Sequence, residues 1–241
     1  MSSYVDLHCH YVPAVDDGVR TLDESRSLLR GLADVGFVQV IATPHIRTGM
    51  FDNRRPGLEA AFGEVAAALS GDAELPGLGL GAEHSCDDVF WRLFQAGEAL
   101  PYPGGQALLV ELPYDAWPKG VDEVFFEMRV AGVRPVLAHP ERYTTLYHRT
   151  EPIDPLLRVG AVALLDVMSL VGRYGRRPRR AAERMLEDGV YDAACSDAHR
   201  PEDVERVGRA IERLRELVGA DEARELLSGG PRRILAGTIE D

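Results

Sequence analysis

The chain has 241 residues, 45% apolar and 27% charged, the make-up of an ordinary globular protein long enough to bury a sizeable core. Its formal net charge of −12 argues against nucleic acid as a partner, since neutralising phosphates needs a basic surface. No apolar run nears the ~20 residues of a membrane span, and no basic-then-apolar leader opens the sequence. Its three cysteines, Cys9, Cys86 and Cys195, share no metal-type spacing, and their odd number argues against a disulfide framework. A cytoplasmic protein without membrane insertion is expected.

In chain order, a first strand is predicted over Tyr4 to His8, ending in His8-Cys9-His10. Residues two apart on a strand share a side, so the two imidazoles project together while Cys9 turns away to pack. After the loop Val15-Asp16-Asp17-Gly18, Thr21 and Glu24 have capping-box spacing and open a helix to about Val35, stopped by Gly36. A second strand, Phe37 to Thr43, runs into Pro44-His45. A helix near 58–69 precedes the run Leu78 to Glu83, a strand ending in a carboxylate. A helix near 87–96 precedes Ala107 to Glu111, which ends in another. A helix near 121–131 leads to the strand Arg134 to His139. The sixth strand is predicted over 162–167. A helix near 178–187 follows, and then the seventh strand, 191–196, leading into Asp197-Ala198-His199. The tail is helical over about 201–218 and 221–227.

Seven buried strands alternating with helices predict parallel βαβ units, and right-handed crossovers let these close into a barrel. An open doubly wound sheet would carry its site at one switch point. Here strand after strand ends in a potential ligand, which predicts an α/β fold of the (β/α)7-barrel kind, its site at the C-terminal strand ends. No linker or composition shift divides it, so one domain over 1–241 is expected.

The strand-end residues are His8, His10, Asp17 (or Asp16), His45, Glu83, Glu111, His139, Asp197 and His199, including five of the seven histidines. One strand-end glutamate is unremarkable, but random placement would scatter histidines through the helices as well. Nine nitrogen and oxygen donors exceed the needs of one ion and suggest two or three, and the absence of thiolates favours Mn, Fe or Zn. His84 should point away from the site and serve structure or the rim.

Asp-Leu-His-Cys-His, Asp-Asp-Gly, Thr-Pro-His45, Gly-Ala-Glu83, Val-Glu111, Ala-His139-Pro-Glu-Arg-Tyr143 and Ser-Asp197-Ala-His199 together resemble the polymerase-and-histidinol-phosphatase (PHP) superfamily. Within it the chain is similar to the bacterial PHP-type protein tyrosine phosphatases of capsular and exopolysaccharide synthesis, from residue 4 to about 236. The resemblance implies a distorted seven-stranded (β/α) barrel with three metals, commonly manganese. By position, His8, His10, Glu83 and Asp197 would hold one metal. Glu83 would bridge to a second with Glu111 and His139. Asp17, preferred over Asp16, would hold the third with His45 and His199. Arg142 corresponds to the family's phosphate-binding arginine. The family's second arginine has no clear counterpart, since Arg200-Pro201 follows His199 directly and Arg206 comes later.

The expected reaction is attack of a metal-bridging hydroxide on phosphotyrosine, Arg142 and the ions stabilising the phosphoryl oxygens. A cysteine-dependent route is not expected. Arg47 and Arg200 are candidate substrate contacts, and the loop 47–52, Tyr114 and Tyr143 could frame an aromatic ring. The basic run Arg173 to Arg180 could attract a phosphorylated tail or simply be the solvated start of a helix. By resemblance the partner is the tyrosine-rich tail of a membrane-associated bacterial tyrosine kinase. The competing readings are a small-molecule phosphatase for a substrate such as histidinol phosphate, an amidohydrolase, and a non-catalytic binding barrel. The amidohydrolase lacks its bridging lysine, since Lys119 is the only lysine and lies in a loop.

Overall fold

The computed structural model describes residues 3–239. In chain order its elements are β1 (Tyr4–Cys9), α1 (Leu22–Val35), β2 (Phe37–Ala42), β3 (His45–Ile46), α2 (Arg55–Leu69), β4 (Gly77–Leu80), β5 (Glu83–Ser85) and α3 (Asp88–Gln95). There follow β6 (Ala107–Glu111), α4 (Val121–Val130), β7 (Arg134–Ala138), α5 (Asp154–Arg158), β8 (Val162–Asp166), α6 (Arg176–Glu187), β9 (Ala193–Cys195), α7 (Asp203–Val218), α8 (Ala220–Arg224) and α9 (Gly230–Ala236). Local chemistry sets the helix ends. Thr21 accepts from the Glu24 N–H (3.2 Å) at the start of α1, and Gly36 closes it with a φ of 117°.

The strands pair in parallel in two sets, β1-β2-β4 and β3-β5-β6-β7-β8-β9. The second and third barrel strands of the sequence reading are each broken, into β2/β3 at Thr43-Pro44 and β4/β5 at Gly81-Ala82. Pairing runs on across the breaks, because Gly81 N–H donates to Ala42 O (2.8 Å) and Glu83 N–H to Pro44 O (3.1 Å). The far edges meet as well. Asp197 N–H donates to His8 O and His10 N–H to Ala198 O, each at 2.9 Å, and Cys9 bridges Ala198 in parallel. Seven strand lines thus form a distorted ring.

Alternation along the strands sorts the core in two. Val5, Leu7, Leu109, Val136, Ala138, Val162, Leu164, Ala193 and Cys195 fill the barrel interior, while Leu108, Val110, Leu137, Ala163, Leu165 and Ala194 pack outward against helices. Ile234 of α9 and Tyr102 complete the interior cluster. The tail helices expected from the sequence end at about 227, ahead of Gly229-Gly230-Pro231 and before α9. Instead a π-turn at 225–229 carries the chain into it. Gly230 is required there, because a Cβ would lie 1.8 Å from Asp192 O.

Candidate metal and phosphate site

The site forms where interior side chains give way to polar ones at the strand ends. On β1 the pairing with β2 shifts register between Asp6 and Cys9. Above the shift, Cys9 joins the outer layer and His8 and His10 enter the mouth, their Nε2 atoms 3.2 Å apart. Asp6 accepts the Ser196 N–H (2.9 Å), tying β1 to the end of β9. His139 and Asp197 follow their strands in left-handed backbone conformations (φ 32° and 47°), uncommon for non-glycine residues and concentrated at functional sites.

Glu83 stands at the centre. Its Oε2 lies 3.2 Å from His8 Nε2 and 2.9 Å from His45 Nδ1, and its Oε1 lies 3.0 Å from His139 Nε2. His8 and His10 Nε2 both approach Asp197 Oδ1, at 3.3 and 3.4 Å. On the outer side, Asp17 Oδ1 lies 3.6 Å from His45 Nε2 and 3.5 Å from His199 Nε2. Glu111 Oε1 is 3.8 Å from His139 Nε2. The structure therefore gathers all nine residues named from the sequence.

They fall into overlapping groups of ligand atoms: His8, His10 and Asp197; His8, Glu83 and His139; His45, Glu83 and Glu111; and His10, Asp17, His45 and His199. The groups differ from the expected sets: His8 joins Glu83 and His139, Glu111 groups with His45 rather than with His139, and His10 also reaches the outer set. The donor set fits divalent cations. It is all nitrogen and oxygen, eight of the nine residues are largely buried, and two imidazole nitrogens converge on one carboxylate oxygen.

The electrostatics have the same cause. Burial opposes charge throughout, yet Glu83 and Asp197 stay well below the ordinary carboxylate range because of the histidines around them. The same carboxylates raise His45 to about 10 and His199 to about 9 against their own burial. Burial and the neighbouring Arg142 instead push His139 down to about 4. Burial and the Glu83 charge raise Glu111.

Arg142 closes one side of the basin. Its Nη1 donates to Asp197 Oδ2 (2.7 Å) and its Nη2 to Tyr114 Oη (2.6 Å), while Tyr114 donates to Glu111 Oε1 (2.5 Å). The guanidinium sits between two rings, 4.9 Å from the Tyr114 centroid and 4.2 Å from that of Tyr174. Arg47, Met50 and Phe51 line the opposite wall, and Phe51 stacks on His45 at 5.4 Å. Arg47 reaches Glu111 Oε2 at 3.9 Å.

Other sequence-named residues lie elsewhere. Arg200 is exposed at the turn into α7 and does not line the basin. Arg206 is held by Asp203 (3.2 Å). Tyr143 cannot frame a substrate ring, being fully buried, its hydroxyl donating to Ala138 O and accepting the Leu112 N–H. His84 is a core residue between Leu109 O and the Leu100 N–H, and burial depresses it to about 4.

Three residues play parts that the sequence did not assign to them. Asp16 Oδ2 takes the His10 Nδ1 at 2.7 Å, and the same carboxylate accepts the His45 and Gly18 N–H groups, fixing how His10 presents Nε2. Asp166 ends β8 with its Oδ2 4.0 Å from Arg142 Nη1. The alternation Val162, Leu164, Asp166 was the available signal. Tyr174 donates to Asp197 Oδ2 at 3.4 Å from a loop without periodicity, and nothing in the sequence marks it.

Comparison with known proteins matches residues 4–236 to a family model described as capsular polysaccharide synthesis, CpsB/CapC. The tyrosine-protein phosphatase YwqE of Bacillus subtilis is 27% identical over 81% of this chain and 77% of its own length. The tyrosine-protein phosphatase CpsB of Streptococcus pneumoniae is 24% identical over 96% of this chain and 98% of its own. A crystal structure from the pair YwqE and CpsB, described as unique metal-dependent tyrosine phosphatases, shares the fold. Its TM-score is 0.89 at 24% identity, covering 98% of this chain and 96% of that one. The chain belongs to the CpsB/CapC capsular polysaccharide synthesis family.

Proposed function

We propose that this protein is a metal-dependent protein tyrosine phosphatase acting, as one domain, on a phosphotyrosine polypeptide in capsule or exopolysaccharide synthesis. The observation that carries the reading is Arg142, fixed between two aromatic rings with its donors turned to a basin of nine nitrogen and oxygen ligands. The named activity of the relatives supports it. His8, His10, Asp17, His45, Glu83, Glu111, His139, Asp197 and His199 are assigned as ligands of up to three divalent ions, with manganese the first candidate. Bound there, such ions supply an ionised water near neutral pH and neutralise phosphoryl oxygens.

The chain's own residues do the rest. Arg142 offers its remaining N–H groups to the equatorial oxygens, and its rigid mounting means little reorganisation as charge develops. Arg47 stands across the basin as a second donor. Phe51 and the exposed Met50 provide an apolar lip that suits a phenyl ring better than a polar metabolite. Phenolate, with pKa ~10, leaves without a strong acid. Cys9 and Cys195 are buried in the core and Cys86 stands partly buried outside the basin, and burial raises all three thiols, so none serves as nucleophile. The polypeptide substrate we favour is the tail of a membrane-associated tyrosine kinase, met from the cytoplasm. Among the described residues no helix is long and apolar enough to cross a membrane.

The test assays a phosphotyrosine peptide and histidinol phosphate in parallel, with metal analysis of the same sample. A chelator should abolish peptide hydrolysis and Mn²⁺ restore it, and His139→Ala should remove both activity and part of the bound metal. Chelator-resistant hydrolysis, full activity in His139→Ala, or a preference for histidinol phosphate would overturn the proposal.

A further inference from the structure

Arginine is unevenly used around the mouth. Tyr174 touches both Arg142 and Asp197, so the segment that follows starts at the wall of the basin. Arg173 precedes it, and Arg176, Arg177 and Arg180 follow on the first turns of α6; all four are exposed. Arg200 stands on the neighbouring turn after His199. One acidic group serves this rim, the buried Asp203. Its Oδ1 lies 3.7 Å from Arg173 and 3.2 Å from Arg206, and its Oδ2 accepts the backbone N–H groups of His199 and Arg200. Arg176, Arg177, Arg180 and Arg200 have no carboxylate partner among the described residues.

Stability does not account for this arrangement. The first turn of α6 carries no acid, and its cations face the positive end of the helix dipole, which disfavours them. Paired arginines do occur nearby and elsewhere: Arg179 of the same helix shares Glu183 with Arg213, and Arg30 takes Asp72 and Glu74. In a chain of net charge −12, an unpaired basic strip abutting the candidate phosphate site is a local reversal of the field.

We infer that the rim formed by Arg173, Arg176, Arg177, Arg180 and Arg200 is a docking surface for acidic side chains that flank the phosphotyrosine in a polypeptide substrate. The inference rests on the phosphatase reading above and adds a sequence preference to it. The rim guanidiniums meet carboxylates of the segment next to the reacting tyrosine, draw it to the mouth and act on capture rather than on the reacting bond. Charge at a rim alters association more than chemistry.

The test compares two phosphotyrosine peptides, one with Asp and Glu on both sides and one with Ser and Ala, on the metal-loaded enzyme at low ionic strength. The acidic peptide is expected to have about tenfold higher kcat/KM, expressed in KM, with the advantage falling as salt is added. In the triple variant Arg176→Gln/Arg177→Gln/Arg180→Gln the two peptides should become equal. The neutral peptide and p-nitrophenyl phosphate should be hydrolysed as before, which reports an intact fold. Equal kcat/KM for the two peptides on the native enzyme would overturn the inference while leaving the phosphatase reading in place, as would a preference retained in the triple variant. An advantage seen only with a second phosphotyrosine, and not with carboxylates, would overturn it too. If neither peptide is hydrolysed, the phosphatase reading falls and the docking surface with it.

Discussion

At the scale of single residues, the pair Asp16-Asp17 shows how neighbouring carboxylates divide labour. Asp17 is about half exposed and presents Oδ1 to His45 and His199, whereas Asp16 is buried and spends both oxygens on orienting others. A carboxylate on the far nitrogen of a ligand imidazole fixes its tautomer and raises its basicity, and losing it typically costs 10–100-fold in metal affinity. Asp16→Asn should therefore weaken metal binding by about that factor in chelator competition, with kcat largely recovered at saturating metal. The sequence named Asp17 correctly as the residue facing the cluster. It offered Asp16 only as the alternative ligand, because an orienting role depends on where the second ring nitrogen of His10 points. Arg142 was picked out by the family resemblance, as the arginine three residues past His139. The two rings that hold it, Tyr114 and Tyr174, come from loops remote in sequence, and only the former drew notice.

At the scale of elements, the strands were legible because a buried parallel strand reads as an apolar run, and their polar ends marked the mouth. What was lost were interruptions and plugs. Pairing continues across the breaks at Thr43-Pro44 and Gly81-Ala82, so apolar pattern alone showed one strand where there are two. Helix α9 was hidden by Gly229-Gly230-Pro231, of which Gly230 serves close approach to Asp192 rather than a turn. Its Ile234 is 2% exposed and belongs to the barrel interior. Ile234→Ala should cost about 2–5 kcal/mol in denaturant unfolding. Gly230→Ala, which overpacks the same joint, should cost about 1–3 kcal/mol or more. Both act at the barrel floor, so folded protein at low temperature should keep its metal content; loss of metal without loss of stability would contradict this placement.

For the molecule as a whole, the centre is a concentration of opposite charges that holds together in different ways with and without cations. In protein stripped of metal, His45 and His199 are held protonated by their carboxylates, to about 10 and 9, against about 6.5 when unfolded. Between pH 6.5 and 10 the folded state then binds more protons than the unfolded state, so stability falls as pH rises through that window. The stripped protein should lose thermal midpoint from pH 7 to 10. The loaded protein should lose less, its cations doing the protons' work, and should gain about 2.7 kcal/mol at a hundredfold excess of metal over Kd. Thermal scans across pH with and without Mn²⁺ check both, and parallel curves would count against the cluster as the metal centre. Loading near pH 7 should also release protons, since ligand histidines bind metal only when neutral.

The hydrogen bonds that close the ring, between His8 and Asp197 and between His10 and Ala198, join segments separated by about 189 positions along the chain. On a ribosome adding 5–20 residues per second, β1 waits roughly 10 to 40 s for the strand that will cover it. Through that interval its outer edge is an open template for wrong partners. During the same interval the nascent chain lacks Asp197 and His199, and no shorter product of translation can assemble the complete centre. The chemistry of the centre therefore waits until the chain has been made through His199.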